Sequence, residues 1–433
     1  MKINTKKMSY EEVLKLPRLQ HKKPLKPQRW LAAIVRIVCE PTLRKIKFSY
    51  TTERMDLVGD EPCLILMNHS SFTDMKLAYG IFYPKKLGIV TSVDAMTGFL
   101  GKLMRLLGCT PTHKYVSDLS LIKDIEYMLK KNKTSVLMYP EAGYSFDGCA
   151  TALPRKLGVL MKRLKVPVVT VITEGAFHRD PLYNMLQIRD VKVSAHVKCI
   201  ATAEEVKEKS VDELDALLAE SFSFDNFAWQ RDNQVSINVP FRADGLHRIL
   251  YKCPHCGSEN RMEGKGIHLT CHACKKRWTM DQYGQLAAKS GETEYPHIPD
   301  WYQWQRTCVR KELEEGTYLL DTDVEIGVQV NLNGICMIGD GHLTHDLNGF
   351  HLTGGDGKLD YSQSPVFSHT LYSDYYWYEI GDVIGIGDNE FSYFCFPKTN
   401  VSVTKARLAT EELYKLKRQR RRERVAKKTV LEE

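Results

Sequence analysis

Residues 63–74 read Cys-Leu-Ile-Leu-Met-Asn-His-Ser-Ser-Phe-Thr-Asp, an apolar run followed directly by polar residues. A continuous apolar run of this length is typical of a strand that is buried inside a sheet. The polar segment begins where the strand ends, and open α/β sheets carry their chemistry at such strand ends. We therefore expect a functional site that includes His69 and Asp74.

A second stretch, residues 135–145, reads Ser-Val-Leu-Met-Tyr-Pro-Glu-Ala-Gly-Tyr-Ser and repeats this arrangement, with the lone Glu141 in the turn. Strand-like and helix-like segments alternate around both stretches, which is typical of an α/β layer fold. The predicted strands are 63–67, 87–91, 135–138, 166–172 and 190–199. The predicted helices are 73–82, 95–107, 117–132, 155–164 and 203–220.

His69 and Asp74 are a candidate base and its orienting partner. An aspartate that accepts a hydrogen bond from one ring nitrogen fixes the tautomer, and the other nitrogen can then take a proton from a hydroxyl. Five positions along a regular helix would turn the two side chains about 140° apart. We therefore place His69 in the turn before the helix and Asp74 in its first turns. We expect this turn to leave free N–H groups near His69 for an anion or an oxyanion.

The spacing of this pair is a weak signal by itself, because His113 and Asp118 repeat it. His113 follows residues 109–112, which we interpret as a short loop-like segment, and no glutamate motif accompanies it. His69 instead follows an apolar strand and precedes a helix start. We therefore favour His69 as the functional histidine.

Three blocks taken together are more specific than any one of them. They are the Asn-His-x4-Asp segment at 68–74, the Tyr-Pro-Glu turn at 139–145 and the Val-Pro-Val-Val strand at 166–170. In order and spacing they resemble the glycerolipid acyltransferase family of the 1-acylglycerol-3-phosphate type, over roughly residues 40–220. The resemblance implies an α/β fold, attachment to a membrane, and acyl transfer from a thioester of coenzyme A or acyl carrier protein to a lipid hydroxyl.

The same resemblance assigns roles to single residues. His69 is expected to be the general base, with Asp74 as its orienting partner. Glu141 is expected to help position the acceptor, with Gly143 in the turn. General-base assistance of this kind typically contributes about 10²–10⁴-fold in rate. The resemblance requires no covalent acyl-enzyme, so none of the cysteines has to act as a nucleophile.

Two departures from the family pattern concern the acceptor. The family's glutamate block usually continues Gly-Thr-Arg, whereas residues 142–144 read Ala-Gly-Tyr. The family's second block usually ends in an arginine for the acceptor phosphate, whereas residues 108–114 offer His113 and Lys114 for acceptor binding. Arginine binds a phosphate through two parallel N–H donors, and lysine, which lacks this fork, is only a partial substitute. The acceptor is therefore expected to be lysophospholipid-like, with a lysophosphatidate less favoured and another hydroxyl- or amine-bearing lipid left open.

The formal charge of +8 lies at the two ends of the chain. Residues 1–50 carry thirteen Lys and Arg against three Glu, and residues 415–433 carry nine against three acidic residues. Basic ends indicate tethering to an anionic surface, so we expect a peripheral protein on the cytoplasmic face of a membrane. A membrane span needs about twenty apolar residues. The shorter apolar run at 30–39, which Arg36 interrupts, is not expected to cross.

Two segments are candidates for contact with the membrane surface. Residues 29–48 mix apolar and basic residues as an interfacial amphipathic helix does, and residues 1–28, rich in Lys and Pro, are expected to be loosely ordered. Residues 99–107 place Lys102 and Arg105 on one side of a leucine-rich helix. For both helices, packing within the protein's own core is the alternative.

The spacing Cys253-x2-Cys256, then fourteen residues, then Cys271-x2-Cys274 predicts a four-cysteine zinc site. Such a site is closed, so the zinc is expected to be structural. The segment 245–285 resembles a zinc ribbon, and the alternative is four unrelated core cysteines. The other eight cysteines are scattered and no secretory signal is visible, which indicates a reducing compartment.

Residues 316–397 carry twelve Asp and Glu against one Lys, and short alternating runs at 325–330, 376–380 and 391–396 predict an antiparallel β domain. We identify no catalytic signature in it. The last segment, 406–433, is predicted to be a helix that ends in a basic tail. That tail is interpreted as a tether to anionic lipid, a nucleic-acid patch or a solvated end.

A chain of 433 residues is too long for one ordinary core. We predict an α/β acyltransferase domain with a mixed sheet flanked by helices, then a zinc ribbon and a β-rich domain. The predicted parts are 1–50, 51–230, 245–285, 300–405 and 406–433.

The alternatives are an inactive member of the same fold, or a zinc-ribbon protein that binds nucleic acid or another partner. Nucleic acid is not expected, because the acidic block would repel phosphate. A third interpretation treats residues 230–405 as a docking module, and acyl carrier protein is a candidate partner.

Overall fold

A computed structural model describes residues 3–114, 118–151, 153–154 and 157–432, without side chains for residues 422 and 424–432. The chain begins with β1 (Thr5–Lys7) and α1 (Tyr10–Leu14), and α2 (Arg29–Lys45) follows. β1 pairs in parallel with a strand of the C-terminal sheet, and α1 buries Tyr10 and Val13 in the C-terminal core. The expectation that residues 1–28 are loosely ordered is therefore wrong for these two elements.

The N-terminal half is built around one mixed sheet. Its strands are β2 (Ser49–Glu53), β3 (Leu64–Met67), β4 (Leu87–Ser92), β5 (Cys109–Thr112), β6 (Ser135–Met138), β7 (Val168–Glu174) and β8 (Ser194–Ala201). The strand order is β2-β8-β7-β3-β6-β4-β5. The strands from β7 to β5 run parallel, and β8, with β2 parallel to it, runs antiparallel to β7.

The five predicted strands are present, but sequence reasoning missed β2 and β5. Residues 109–112, expected to be loop-like, pair with β4 at the edge of the sheet. Pro111 has no N–H to donate, and an edge strand tolerates this because its outer side needs no partner. His113 therefore also follows a strand, as His69 does.

Helices cover both faces of this sheet. They are α2 together with α3 (Asp74–Phe82), α4 (Gly98–Leu106), α5 (Leu119–Lys130), α6 (Leu157–Leu164), α7 (Ala176–Arg179), α8 (Ala203–Glu208), α9 (Val211–Ser221) and α10 (Asn226–Asp232). Successive residues of β3 point to opposite faces, so Ile65 joins the core under α2 and α3, and Leu66 joins the core under α5, α6 and α9. The predicted mixed sheet flanked by helices is confirmed.

The helix predicted at 203–220 is two helices. Thr202 and Ser210 each form a capping box with a glutamate three positions later, so α8 ends and α9 starts anew at Ser210. The helix predicted at 155–164 begins within the described residues at Leu157, and residues 155–156 lie outside them.

The C-terminal half contains two antiparallel sheets and two long helices. Its elements are β9 (Met262–Lys265), β10 (His268–Cys271), β11 (Arg277–Met280), β12 (Leu286–Ala288), α11 (Ile298–Glu315), β13 (Leu320–Gln329), β14 (Ile335–Asp346), β15 (Gly349–Gly354), β16 (Leu359–Gln363), β17 (Tyr372–Trp377), β18 (Gly381–Gly387), β19 (Ser392–Pro397) and α12 (Val403–Glu432). The small sheet has the order β12-β11-β10-β9, and the large sheet has the order β16-β15-β14-β13-β19-β18-β17, with β1 paired to β14.

The β-rich region that the sequence predicted is present, but the strand predicted at 376–380 is not. β17 ends at Trp377, and residues 378–380 turn the chain into β18. One continuous hydrophobic cluster joins the small sheet, α11, the large sheet and the first half of α12. It also contains Phe146 and Phe177, so the two halves of the chain share a core.

The basic C-terminal helix is a core element over its first half. Residues of α12 from Val403 to Leu413 are largely buried, and exposure begins near Lys415. No helix among the described residues is both long and apolar enough to cross a membrane.

Candidate active site

His69 and Asp74 meet at the carboxyl end of β3. The chain leaves the strand at Met67, turns through residues 68–73 and enters α3 at Asp74. His69 Nδ1 lies 2.8 Å from Asp74 Oδ2, the distance of an N–H that donates to a carboxylate. This leaves Nε2 as the acceptor nitrogen, and it takes no hydrogen bond from the described residues.

The backbone N–H groups around His69 are not free, so that expectation is wrong at these positions. Ser70 N and Ser71 N donate to Asp74 Oδ2 at 2.9 and 3.2 Å. His69 N donates to Glu141 Oε2 at 3.0 Å. Asp74 thereby ties the turn before α3 to the first residue of that helix, and the three donors hold the two carboxylates in place rather than binding an anion.

Glu141 joins the two turns that the sequence singled out. It is fully buried, and its Oε1 accepts hydrogen bonds from Thr151 N and Thr151 Oγ1 at 2.7 and 3.1 Å. Burial raises the pKa of Glu141 to about 7, although hydrogen bonds from the backbone N–H groups of Thr151 and His69 oppose the shift. Its carboxylate is held between His69 and Thr151, and we read it as a positioning group for the histidine turn.

Gly143 lies in the same turn, but it is Ala142 that adopts a positive φ of 55°. A side chain disfavours this left-handed conformation. The resembling family usually has glycine at this point, so the turn geometry explains that preference.

Aromatic rings enclose the His69 imidazole. The ring of Tyr144 stacks on it at 3.8 Å between centroids, and that of Tyr139 does so at 4.2 Å. Phe72 stacks on the outer side of Tyr144 at 5.1 Å. Burial lowers the pKa of His69, while Asp74 opposes the shift. The imidazole is therefore held neutral and can accept a proton.

Arg407 of α12 was not found by sequence reasoning. Its Nη1 donates to the carbonyl of Tyr144 at 3.0 Å, and its guanidinium lies 4.5 Å from the centroid of the Phe146 ring. No local pattern reveals this contact, because the two residues are far apart in the chain. The C-terminal helix thus helps to fix the turn that covers His69.

His69, Asp74 and Tyr144 line a cavity with a volume of about 880 Å³. Much of its apolar lining comes from α2 and α4 and from β5, and part of its polar lining comes from β17. The apolar lining includes Val35, Leu100, Leu103, Met104 and Leu107. The polar lining includes Asp94, His113, Lys114, Tyr372 and Asp374. The cavity combines space for an apolar chain with polar groups near the histidine.

The competing pair of His113 and Asp118 does not form. Asp118 Oδ1 caps α5 by accepting from Ser120 N and Leu121 N at 2.8 and 3.2 Å. His113 Nδ1 instead lies 3.3 Å from the hydroxyl of Ser392. The structure nevertheless brings His113 and Lys114 to the same cavity as His69.

The four predicted zinc ligands form a separate cluster. Their sulfur atoms lie within 4.8 Å of one another, and two pairs, Cys253 with Cys274 and Cys256 with Cys271, are 3.8 Å apart. Four thiolates about 2.3 Å from a tetrahedral zinc ion lie about 3.8 Å from one another. Two of the sulfur pairs therefore have the separation expected around a zinc ion.

A family model matches part of the N-terminal half. Residues 45–174 match the family model described as Acyltransferase. This part of the chain is an acyltransferase-family domain, and the resemblance that the three sequence blocks indicated is confirmed at that level. It contains His69, Asp74 and Glu141.

One similar solved structure is the 1-acyl-sn-glycerophosphate acyltransferase of Thermotoga maritima. It is 16% identical, covers 44% of this chain and 78% of that chain, and has a TM-score of 0.31. No curated protein matches the chain in sequence.

Proposed function

We propose that the protein transfers a fatty acyl group from a thioester of coenzyme A or acyl carrier protein to the hydroxyl of a lysophospholipid-like acceptor. The observation that carries the proposal is the pairing of His69 with Asp74 beside a largely apolar cavity within an acyltransferase-family domain. The cavity accommodates an acyl chain, and the free Nε2 of His69 is the natural contact for the acceptor hydroxyl.

In this mechanism His69 is the general base. As the acceptor oxygen forms an ester bond with the acyl carbon, its proton passes to His69 Nε2. The carbon–sulfur bond of the thioester breaks, and the proton is delivered to the leaving thiolate. Asp74 stabilises the imidazolium that forms between these steps, because its Oδ2 accepts from Nδ1.

Membrane binding is part of the proposal, and α2 and α4 support it. α2 buries Leu31 and Leu43, but the opposite side of the helix exposes Trp30 and Ile37. The first residues of α4 expose Phe99, whose side chain is 81% accessible. Both helices also contribute to the cavity lining. We infer peripheral binding at the cytoplasmic face, with the lipid chains reaching the cavity beside these two helices.

The four-cysteine cluster supports a second proposal, a structural zinc ribbon. Four thiolates leave no open coordination position, so the ion would stabilise the small sheet rather than take part in acyl transfer. The zinc ribbon is thus compatible with the acyltransferase, and no nucleic-acid function is needed to explain it.

The direct test measures transfer of a radiolabelled acyl group from acyl-coenzyme A, and from acyl carrier protein, to a mixture of lysophospholipids. Replacing His69 by Ala is expected to lower kcat by about 10²–10⁴-fold. His351→Ala is the matched control, because His351 pairs with Asp360 at 2.9 Å on the surface of the large sheet. It should keep wild-type activity.

Equal rates for His69→Ala and the wild type would contradict the assigned base. A wild-type protein that transfers no acyl group with either donor would favour the alternative of an inactive acyltransferase fold.

A further inference from the structure

The acidic C-terminal sheet, in which the sequence showed no catalytic signature, supplies part of the cavity wall. β17 and the turn after it place Tyr372, Asp374, Tyr376 and Tyr378 in the same cavity as His69. These residues lie outside the part of the chain that matches the acyltransferase family. The wall is therefore an addition to the family's domain. It lines the cavity in which the proposed function places the acceptor.

Asp374 is a nearly buried carboxyl group in this wall. Its residue is 6% exposed, and its Oδ1 accepts the N–H of Tyr375 at 2.8 Å. Its Oδ2 takes no hydrogen bond from the described residues. Burial raises the pKa of Asp374 to about 7, and the positive charge of Lys114 opposes the shift. Asp374 lines the cavity, so a ligand bound there can donate a hydrogen bond to Oδ2.

Aromatic groups beside Asp374 are held in fixed positions. The hydroxyls of Tyr372 and Tyr378 both donate to Asp94 Oδ2 at 2.9 Å. Trp377 Nε1 donates to the Tyr372 hydroxyl at 3.0 Å. An ammonium group binds over the faces of aromatic rings and pairs with carboxylates, and both kinds of side chain are held in place here.

The backbone of this turn is strained. Tyr376, Tyr378 and Glu379 have φ values of 55°, 47° and 66°. Side chains disfavour this left-handed region, and such strain persists mainly where the surrounding structure holds it for a function. The strained backbone therefore indicates that this turn has a functional role in the cavity.

Lys114 supplies the opposite charge. Its Nζ lies 4.0 Å from the centroid of the Tyr372 ring, and it forms no ion pair with any described residue. Among the described residues that line the cavity it is the only lysine or arginine, while Asp74, Asp94, Asp374 and Glu379 are acidic. An anionic group of a ligand can thus bind at Lys114, but a ligand that is only anionic would also face the carboxyl groups of Asp94 and Asp374.

We propose that the acceptor carries a zwitterionic headgroup, with its phosphate at Lys114 and its ammonium group at Asp374 among the tyrosine rings of β17. This inference rests on the acyltransferase function proposed above and names the acceptor class. A zwitterion supplies an ion-pair partner of opposite charge to both Asp374 and Lys114. A phosphate monoester would be repelled by the carboxylates, and a neutral polyol headgroup would leave Asp374 without a cation.

The test compares three lysophospholipids as acceptors for one labelled acyl donor: lysophosphatidylethanolamine, lysophosphatidylglycerol and lysophosphatidate. The wild type is expected to show the highest kcat/KM with lysophosphatidylethanolamine. Asp374→Asn keeps an oxygen for the N–H of Tyr375 but removes the charge. It is expected to lower kcat/KM for lysophosphatidylethanolamine by about ten- to a hundredfold and to leave the other two acceptors unchanged or improved.

The matched control is Asp360→Asn, which removes an exposed carboxylate from the same sheet and should keep the wild-type preference. Equilibrium dialysis of the same three lipids, without a donor, provides a readout that does not depend on turnover. Tighter binding of lysophosphatidylethanolamine that Asp374→Asn abolishes supports the headgroup site.

Three results would overturn the inference: a wild-type preference for either of the other acceptors, equal loss with all three in Asp374→Asn, or equal binding of the three lipids. If no acceptor receives an acyl group, the proposed acyltransferase function is contradicted instead. The dialysis then still shows whether the cavity prefers a zwitterionic lipid.

Discussion

At the scale of single residues, the surroundings of His69 determine its acid–base behaviour. Tyr139 and Tyr144 stack on the imidazole and shield most of it from water, so that 16% of the His69 side chain remains exposed. Exclusion of water disfavours the charged form, whereas the hydrogen bond to Asp74 favours it. Burial is the larger effect and favours the neutral form of His69. Tyr144 stands where the resembling family usually has arginine, so at this position the chain places a ring against the imidazole instead of a charge.

The pKa of His69 provides a prediction at this scale. His69 is expected to titrate below its ordinary value of 6.5. Asp74→Asn should lower its pKa further, because the carboxylate stabilises the imidazolium, and should also lower kcat by about 10²–10⁴-fold, because the tautomer is no longer fixed. Histidine NMR signals recorded against pH measure the pKa, and the spectrum of His69→Ala identifies the signal. A midpoint above 6.5, or an upward shift in Asp74→Asn, would contradict the prediction.

At the scale of elements, α2 shows that the two interpretations of an amphipathic helix need not exclude each other. Leu31, Cys39 and Leu43 are buried against the sheet domain, while Trp30 and Ile37 remain exposed. A helix in solution needs one apolar stripe, and α2 has apolar residues on a second side as well. The additional side is the reason to propose that α2 contacts lipid.

Membrane binding by this side of α2 is open to test. The double substitution Trp30→Ser and Ile37→Ser is expected to weaken liposome binding by at least about tenfold, because each large apolar side chain that leaves water contributes about 1.5–3 kcal/mol. Leu119→Ser is the control, since Leu119 is equally exposed but lies on α5. Flotation with anionic liposomes measures the effect. Unchanged flotation of the double variant, or an equal loss in the control, would rule out α2 as the contact.

α12 is an element whose role differs along its length. Its first half lies in the C-terminal core and carries Arg407 to the carbonyl of Tyr144, whereas its second half is basic and exposed. The acyltransferase-family domain therefore receives part of its active-site support from the far end of the chain.

At the scale of the whole molecule, the four-cysteine sheet is connected to the active site through charged groups. Glu259, which follows the first cysteine pair, lies 2.7 Å from Lys405 of α12, and Lys405 lies 2.7 Å from Glu312 of α11. Lys405 precedes Arg407 by two positions. α12 thus contacts both the segment beside the four cysteines, through Lys405, and the turn at Tyr144, through Arg407.

Loss of zinc should accordingly affect both stability and activity. Metal analysis is expected to find about one zinc per chain. The double substitution Cys253→Ser and Cys256→Ser should remove it and lower the midpoint of thermal unfolding by at least about 5 °C, because the binding free energy of a structural zinc stabilises the fold. Cys308→Ser is the control, since Cys308 lies outside the cluster. A chain free of zinc, or zinc retained after the double substitution, would count against the ribbon.

The sequence by itself determined the elements whose pattern is local. The apolar run of β3, the turn with His69 and the start of α3 at Asp74 lie within one short stretch, and so do the paired cysteines. The alternation of strands and helices along the chain indicated an α/β fold. The continuous apolar strands indicated a sheet that is buried on both faces. The spacing of His113 and Asp118 is local too, yet the pair does not form, because Asp118 caps α5.

Only the tertiary structure decided what surrounds His69 and which residues line the cavity beside it. Asp374 and Arg407 reach the site from sequence positions far from His69, and residues 109–112 became a strand through pairing with β4. Contacts of this kind arise when separate surfaces are buried against each other. The packing of a shared core determines which residues make these contacts. The spacing of residues along the chain does not predict them.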